Sequence, residues 1–177
     1  EGLERFIRTV DGKGSVEFAF IGFDRSGHLT SAQASNLGNN IRLLGTMTYT
    51  DCQDFFSHSD VLLIIESPFV EGIYLPAKFV DYVQSGKPVL AVTPEPGTLG
   101  DYLNSFGGGL AVDCHSPRGI AEALTNMYEM WQSGTLGEKL GSSVLQKYFS
   151  SDTIIAQYKR IFESFGVNIG QKATIRG

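Results

Sequence analysis

Residues 61–92 read VLLIIESPFVEGIYLPAKFVDYVQSGKPVLAV. The run Val61–Ile65 is continuously apolar and too short for a helix, which is the pattern of a strand buried on both faces. A loop follows it, then Pro76 at an expected first helical position. Phe79, Val80 and Val83 recur on one side before Ser85-Gly86 closes the helix, and Val89–Val92 is a second apolar strand. Strand, helix and strand at this spacing make a parallel pair with a crossover helix.

The same alternation extends outward. Residues 2–10 carry Leu3, Phe6, Ile7 and Val10 at helical spacing, closed by Asp11-Gly12-Lys13-Gly14. Val16–Ile21 and Ile41–Leu44 read as strands ending at Gly22 and Gly45, with a weak helix expected over 30–38 between them. Thr50 or Asp51 is the expected cap of a helix reaching His58, with Cys52, Phe55 and Phe56 inward. Beyond Val92, the Pro94-Glu95-Pro96-Gly97 loop leads to a helix over Leu99–Ser105. Gly107-Gly108-Gly109 then opens a strand at Leu110–Val112. After Pro117, Ile120, Ala121, Leu124, Met127, Tyr128 and Trp131 repeat with the helical period. Helices are expected around 137–148 and 152–165. The fold class is therefore α/β: a Rossmann-like, doubly wound parallel sheet with helices on both faces, in one domain over 1–177.

Composition narrows the function. The chain has 177 residues, 42% of them hydrophobic, and a formal net charge of −5. It has no basic surplus, which argues against binding driven by nucleic-acid phosphates. Cys52 and Cys114 stand far apart, outside metal-ligand spacing, so a reduced, cytoplasmic setting is expected. There is no apolar run long enough to span a bilayer. The sequence opens without Met in the middle of a helical pattern, so a cut chain is expected.

Ligands of an open α/β sheet sit at the carboxyl ends of the strands. This directs attention to 22–27, 45–48, 66–75 and 93–98. The glycine triplet 107–109 precedes a strand and is not a dinucleotide fingerprint, and no P-loop, Gly-x-Ser-x-Gly elbow or metal cluster is present in the sequence. His28, His58 and His115 are isolated and read as surface or helix-end residues. The segment from Ser67 to Pro76 differs. It leaves a buried strand, carries Glu71-Gly72, and enters a helix whose N-terminal N–H groups suit a phosphate. Gly72 would let backbone N–H groups approach an anion. A solvated loop with a surface glutamate is the competing reading of the same residues.

Taken together, Ser59–Ile65, Glu71–Tyr82 and Ser85–Ala91 resemble the C-terminal, donor-binding domain of retaining GT-B glycosyltransferases of the bacterial group 1 type. The likeness extends more faintly over Phe18–Gly22, Leu43–Gly45, Gly109–Asp113 and Phe149–Phe162. It implies that Glu71 contacts the transferred sugar and that the backbone of Gly72, Ile73, Tyr74 and Leu75 holds the diphosphate. It also implies that Asp81 grips the ribose hydroxyls and that Gly45-Thr46-Met47 meets the base. Lys78 would support the phosphates, or stand as a helix-surface lysine. Pro94–Thr98 is a further, weaker candidate for donor contact.

The resemblance implies metal-independent transfer from a UDP- or GDP-sugar, with no cofactor and no metal ligand, to a glycan or lipid-linked acceptor. Surface polysaccharide biosynthesis is the expected setting, with peripheral membrane association of a full-length enzyme. Asp81 departs from the family's usual glutamate, and its interval from Glu71 is longer than the common form. The family's opening strand and its N-terminal acceptor domain have no counterpart in these residues, so the fragment is expected to be inactive alone. In the order 3-2-1-4-5-6 the absent strand would be central. The Val16 and Val61 strands then either pair directly or leave a gap for another chain or for upstream residues. A nucleotide-binding Rossmann-like module and a GT-B nucleotide-sugar epimerase are the alternatives.

Overall fold

A computed structural model describes residues 1–10, 16–33 and 37–167. The elements in order are α1 (Gly2–Val10), β1 (Phe18–Ile21), α2 (His28–Gln33), a 3-10 turn (Gly38–Asn40), β2 (Ile41–Gly45), α3 (Tyr49–His58), β3 (Leu62–Ile65) and α4 (Ala77–Gln84). They continue with β4 (Val89–Thr93), α5 (Thr98–Phe106), β5 (Gly109–Asp113), α6 (Pro117–Gln132), α7 (Leu136–Leu140), α8 (Ser143–Tyr148) and α9 (Ser151–Ser164). The expected closing turn of the first helix and part of the expected helix over 30–38 lie outside the described residues.

All the strand pairings are parallel, as the alternation requires, but the strands form two sheets. β1 pairs with β2, and β3-β4-β5 form the other sheet. The Val16 and Val61 strands do not pair, and a gap separates the two sheets. β4 is buried at every position, whereas β3 alternates and leaves Ile65 54% exposed. A strand with neighbours on both sides is covered; a strand at an edge is not.

The faces follow from side-chain alternation. Ile64, Val89 and Ala91 point to one side, where they pack with Phe79 and Val83 of α4, Leu99 and Leu103 of α5, and Leu145 of α8. Leu63, Leu90, Leu110 and Val112 point to the other, against Met127 of α6 and the α7 residues Leu136 and Leu140. A third cluster joins Phe6 and Val10 of α1 to Tyr128 of α6 and Phe18 of β1. Edge-on rings at 6.2 Å and 6.1 Å connect Phe6 to Phe18 and to Tyr128. α6 therefore spans both sheets on this face.

Three local expectations are corrected. Thr48, not Thr50 or Asp51, caps α3: its hydroxyl oxygen accepts from the Asp51 N–H at 3.2 Å and donates to the Asp51 carboxylate at 2.7 Å. Asp51 closes this cap from inside the helix. Pro76 precedes α4 with an extended ψ of 131°, and its carbonyl receives the Phe79 N–H at 2.9 Å. The single helix expected over 137–148 is broken, because Gly141 is extended (ψ 145°) between α7 and α8. Glycine's weak helix preference permits that break. Ser142 then donates to the Val83 carbonyl at 3.0 Å, tying the break to α4.

Candidate functional site at the carboxyl edge

The loops expected to bind a ligand do gather at the carboxyl ends of the strands. Two loops meet at Gly72. Its N–H is donated to the Pro96 carbonyl at 3.0 Å, and its own carbonyl accepts from the Thr98 N–H at 2.7 Å. The contact is a parallel bridge between Gly72 and Gly97. A Cβ on Gly97 would lie 2.5 Å from the Pro94 carbonyl and 3.4 Å from the Gly72 Cα. Glycine is required at 97 because two backbones cross there. The expectation for Gly72 changes accordingly. Its N–H serves the neighbouring loop instead of reaching toward an anion, and the residue is buried.

What lies beyond Gly72 is open. Ile73 and Tyr74 are 62% and 71% exposed, and the backbone N–H groups of Ile73, Tyr74 and Leu75 have no acceptor among the described residues. Leu75 packs against the core cluster that includes Phe79 and anchors the far end of the segment. The chain then enters α4, whose first-turn N–H groups point the same way as any helix N-terminus, outward and electropositive. Glu71 stands exposed at the rim, with no hydrogen bond or ion pair among the described residues.

Below this loop sits a pair that sequence reading passed over. The Thr93 hydroxyl donates to a Glu66 carboxylate oxygen, joining the ends of β3 and β4. Thr93 is buried and Glu66 half-buried. The only sequence signal was position: each is at the carboxyl end of an apolar strand. Lys78 is near the same carboxylate. Its side chain reaches solvent, yet the protein around it lowers the ammonium pKa below the ordinary lysine range by desolvation, with Glu66 acting in the opposite sense. An anion bound here would favour the charged ammonium.

Asp81 is placed on the other flank. It accepts a hydrogen bond from the Tyr49 hydroxyl at 3.2 Å, which links α4 to the start of α3 just after Gly45, Thr46 and Met47. Phe56 and Tyr82 meet edge-on at 4.9 Å and hold the same two helices together one turn along. Gly45 has a φ of 68°, and its carbonyl receives the Gly22 N–H at 2.7 Å, so the β1 and β2 ends are joined as well. Thr46 is exposed and Met47 half-buried. Asp81 and the 45–48 loop are thus neighbours through Tyr49.

The reading of His115 as isolated is corrected. Its Nδ1 lies 3.1 Å from an Asp113 carboxylate oxygen and 3.4 Å from Cys114 Sγ, and its N–H donates to the same carboxylate oxygen at 3.0 Å. These three residues could in principle offer ligand atoms to one cation. The His115 backbone N–H, more than its ring, holds the Asp113 carboxyl below the usual range. Burial followed by the Asp113 charge pushes the Cys114 thiol up. The three residues form the turn that ends β5.

No family model matches the sequence, and no curated protein does. Solved structures do match. Sucrose-phosphate synthase from Thermosynechococcus elongatus is 17% identical with a TM-score of 0.68, over 93% of this chain and 42% of that one. HepE from Anabaena, in complex with UDP-glucose, is 17% identical with a TM-score of 0.65, over 92% of this chain and 45% of that one. The pneumococcal O-GlcNAc transferase GtfA, in complex with UDP and GlcNAc, is 14% identical with a TM-score of 0.63, over 94% and 33%. The chain therefore has the Rossmann-like α/β fold found in GT-B glycosyltransferases, and it spans less than half the length of each of these proteins. Among the described residues no helix is long and apolar enough to cross a membrane.

Proposed function

We propose that the carboxyl edge binds a nucleoside-diphosphate sugar, and that the chain is the donor-binding domain of a retaining, metal-independent glycosyltransferase. The observation that carries this reading is the 72–77 segment. Gly72 is clamped by the 93–98 loop, and the next three backbone N–H groups are left open ahead of a helix N-terminus. Such a surface stabilises the charge of a departing diphosphate without a metal ion. Ile73, Tyr74 and Leu75 face the phosphates, with Gly72 holding them in place. Glu71 faces the sugar, Lys78 supports the phosphates, and Asp81 takes the ribose hydroxyls beside the base-facing loop at Gly45 and Thr46. Two of the structural neighbours were solved with UDP or UDP-glucose, and a UDP- or GDP-sugar is the donor assigned here. The acceptor, a glycan or a lipid-linked sugar, would bind to a further domain of the whole enzyme, at the inner face of the membrane.

The division of labour is tested by two substitutions in an enzyme that carries this domain. Glu71→Ala should cut transfer by at least about a hundredfold, on the scale of a lost transition-state contact, with nucleoside-diphosphate affinity nearly unchanged. Asp81→Ala should weaken nucleotide binding itself by about tenfold or more. Identical behaviour of the two variants contradicts the assignment.

A further inference from the structure

Three donor atoms of different chemistry converge where β5 ends. Asp113, Cys114 and His115 offer a carboxylate oxygen, a thiol sulfur and an imidazole nitrogen, all within 4.8 Å of one another. The His115 Nδ1 stands 3.1 Å from Asp113 Oδ1 and 3.4 Å from Cys114 Sγ. Consecutive side chains of an extended strand point to opposite faces. Here the chain leaves β5 at Asp113 and enters a turn, which brings the three to one side.

The arrangement is not that of a nucleophile with its base. In such a relay the thiol or hydroxyl meets one ring nitrogen and the orienting acid meets the other. Here both meet Nδ1, so oxygen, sulfur and nitrogen surround a common point. The separations are those of ligands on a tetrahedral metal ion. With Zn–S of about 2.3 Å and Zn–N or Zn–O of about 2.0–2.2 Å, neighbouring ligands stand about 3.3–3.6 Å apart. The distance to Sγ lies in that range, and the distance to Oδ1 needs to grow by about 0.2 Å.

The turn is held by bonds that a bound ion would leave in place. The Cys114 N–H donates to the Thr93 carbonyl at 2.9 Å, and the Ser116 N–H to the Asp113 carbonyl at 3.0 Å. Ser116 then caps α6, its hydroxyl oxygen accepting from the Gly119 N–H at 3.0 Å. Thr93 is buried on β4. The turn is therefore anchored to the sheet on one side and to a 16-residue helix on the other, and ligands set on rigid elements keep their geometry. The side chains of Asp113 and His115 are 35% and 52% exposed, so an ion has access and water can complete its coordination.

We infer that Asp113, Cys114 and His115 form a binding site for one divalent transition-metal ion of the zinc type, with water as the fourth ligand. The mixed oxygen, sulfur and nitrogen set suits zinc or cobalt(II), whereas magnesium and calcium need mostly oxygen ligands. Binding forms the metal–sulfur bond and releases the thiol proton to solvent. Ligands in direct succession match none of the spaced motifs, so only the structure reveals the site. It lies at the end of β5, and β4 separates that strand from β3, which leads into the 72–77 segment. No step of transfer is assigned to it, and no nucleotide enters its test.

Cobalt(II) titrated into the full chain under a phosphine reductant tests the site, because cobalt bound to a thiolate gives an intense near-ultraviolet charge-transfer band. The band should saturate at one equivalent, and zinc should abolish it by displacement. Cys52→Ser should leave it intact, and Cys114→Ser should remove it. His115→Ala and Asp113→Asn should each weaken cobalt binding at least about tenfold, whereas a lone thiol would bind equally well in both. Asparagine at 113 keeps an oxygen for the His115 N–H, so the turn survives that change. No saturating band, a band that follows Cys52, or parental affinity in the His115 and Asp113 variants overturns the inference. Thermal unfolding gives a second measurement if Cys114→Ser folds poorly. Zinc at a concentration that saturates the parent should raise its midpoint by several degrees, and that of a doubly substituted Asp113→Asn, His115→Ala chain far less. An equal rise in both, or none in either, overturns the inference.

Discussion

The hydroxyl of Tyr49 donates to the carboxylate of Asp81 across 3.2 Å, joining the first residue of α3 to the middle of α4. The two residues are far apart in sequence, and the contact brings the loop after β2 against the helix that follows β3. It orients the carboxylate assigned to the ribose. It also has a measurable signature.

That signature is a pH dependence. The hydrogen bond to Asp81, and then its negative charge, raise the Tyr49 pKa above the ordinary value of 10.0. A raised folded-state pKa means that the native protein holds this proton more tightly than the unfolded chain. The contribution to stability is complete below pH 10 and is lost as pH rises through the folded-state value. Ultraviolet titration should show a late-ionising group of phenols, with Tyr82 and Tyr102 raised chiefly by burial and Tyr49 raised by Asp81. Asp81→Asn should return Tyr49 toward the ordinary range, and Tyr49→Phe should remove it from the group.

The crossing of backbones at Gly72 and Gly97 predicts a steric penalty. Gly97→Ala places a Cβ 2.5 Å from the Pro94 carbonyl, closer than carbon and oxygen tolerate. Relieving that clash should cost about 1–3 kcal/mol, the range for overpacked sites. Thermal unfolding should fall by several degrees, and any nucleotide affinity should fall with it, because the 72–77 segment loses its clamp. A Gly97→Ala variant as stable as the parent would mean that the two loops are not held together.

Phe79 links the site to the core. Its ring is fully buried and lies 6.0 Å from Phe149 and 6.3 Å from Tyr102, so it ties α4 to α5 and to the segment after α8. Phe79→Ala should destabilise the chain by about 3–5 kcal/mol in chemical denaturation. Val80→Ala, on the neighbouring half-buried position, should cost far less.

Much of this was legible in the sequence, and the reason is local. β4 announces itself because a strand buried on both faces must be apolar throughout, and β3 shares the apolar run although its edge leaves Ile65 exposed. α6 does so because its single buried stripe repeats with the helical period. The carboxyl-edge location of the proposed site follows from topology alone. What escaped depends on partners remote in sequence. The N–H of Gly72 is taken by Pro96, the Glu66 carboxylate by Thr93, and the Asp81 carboxylate by Tyr49. No periodicity reports such pairs. The Thr48 cap was hidden for a smaller reason: Thr48, Thr50 and Asp51 all suit a cap, and only the hydrogen bond distinguishes them. The sheet gap was foreseeable from strand order, but only the structure distinguishes an open slot from direct pairing.

The central claim is that open N–H groups ahead of α4 receive a diphosphate. Amide chemical-shift mapping with UDP, GDP and ADP added in turn tests it most directly. At least one should shift the Ile73, Tyr74, Leu75, Ala77 and Lys78 amides together with those at Gly45 and Thr46, and the shifts should saturate. No saturable shift with any of the three, or shifts confined to surfaces away from these residues, would contradict it.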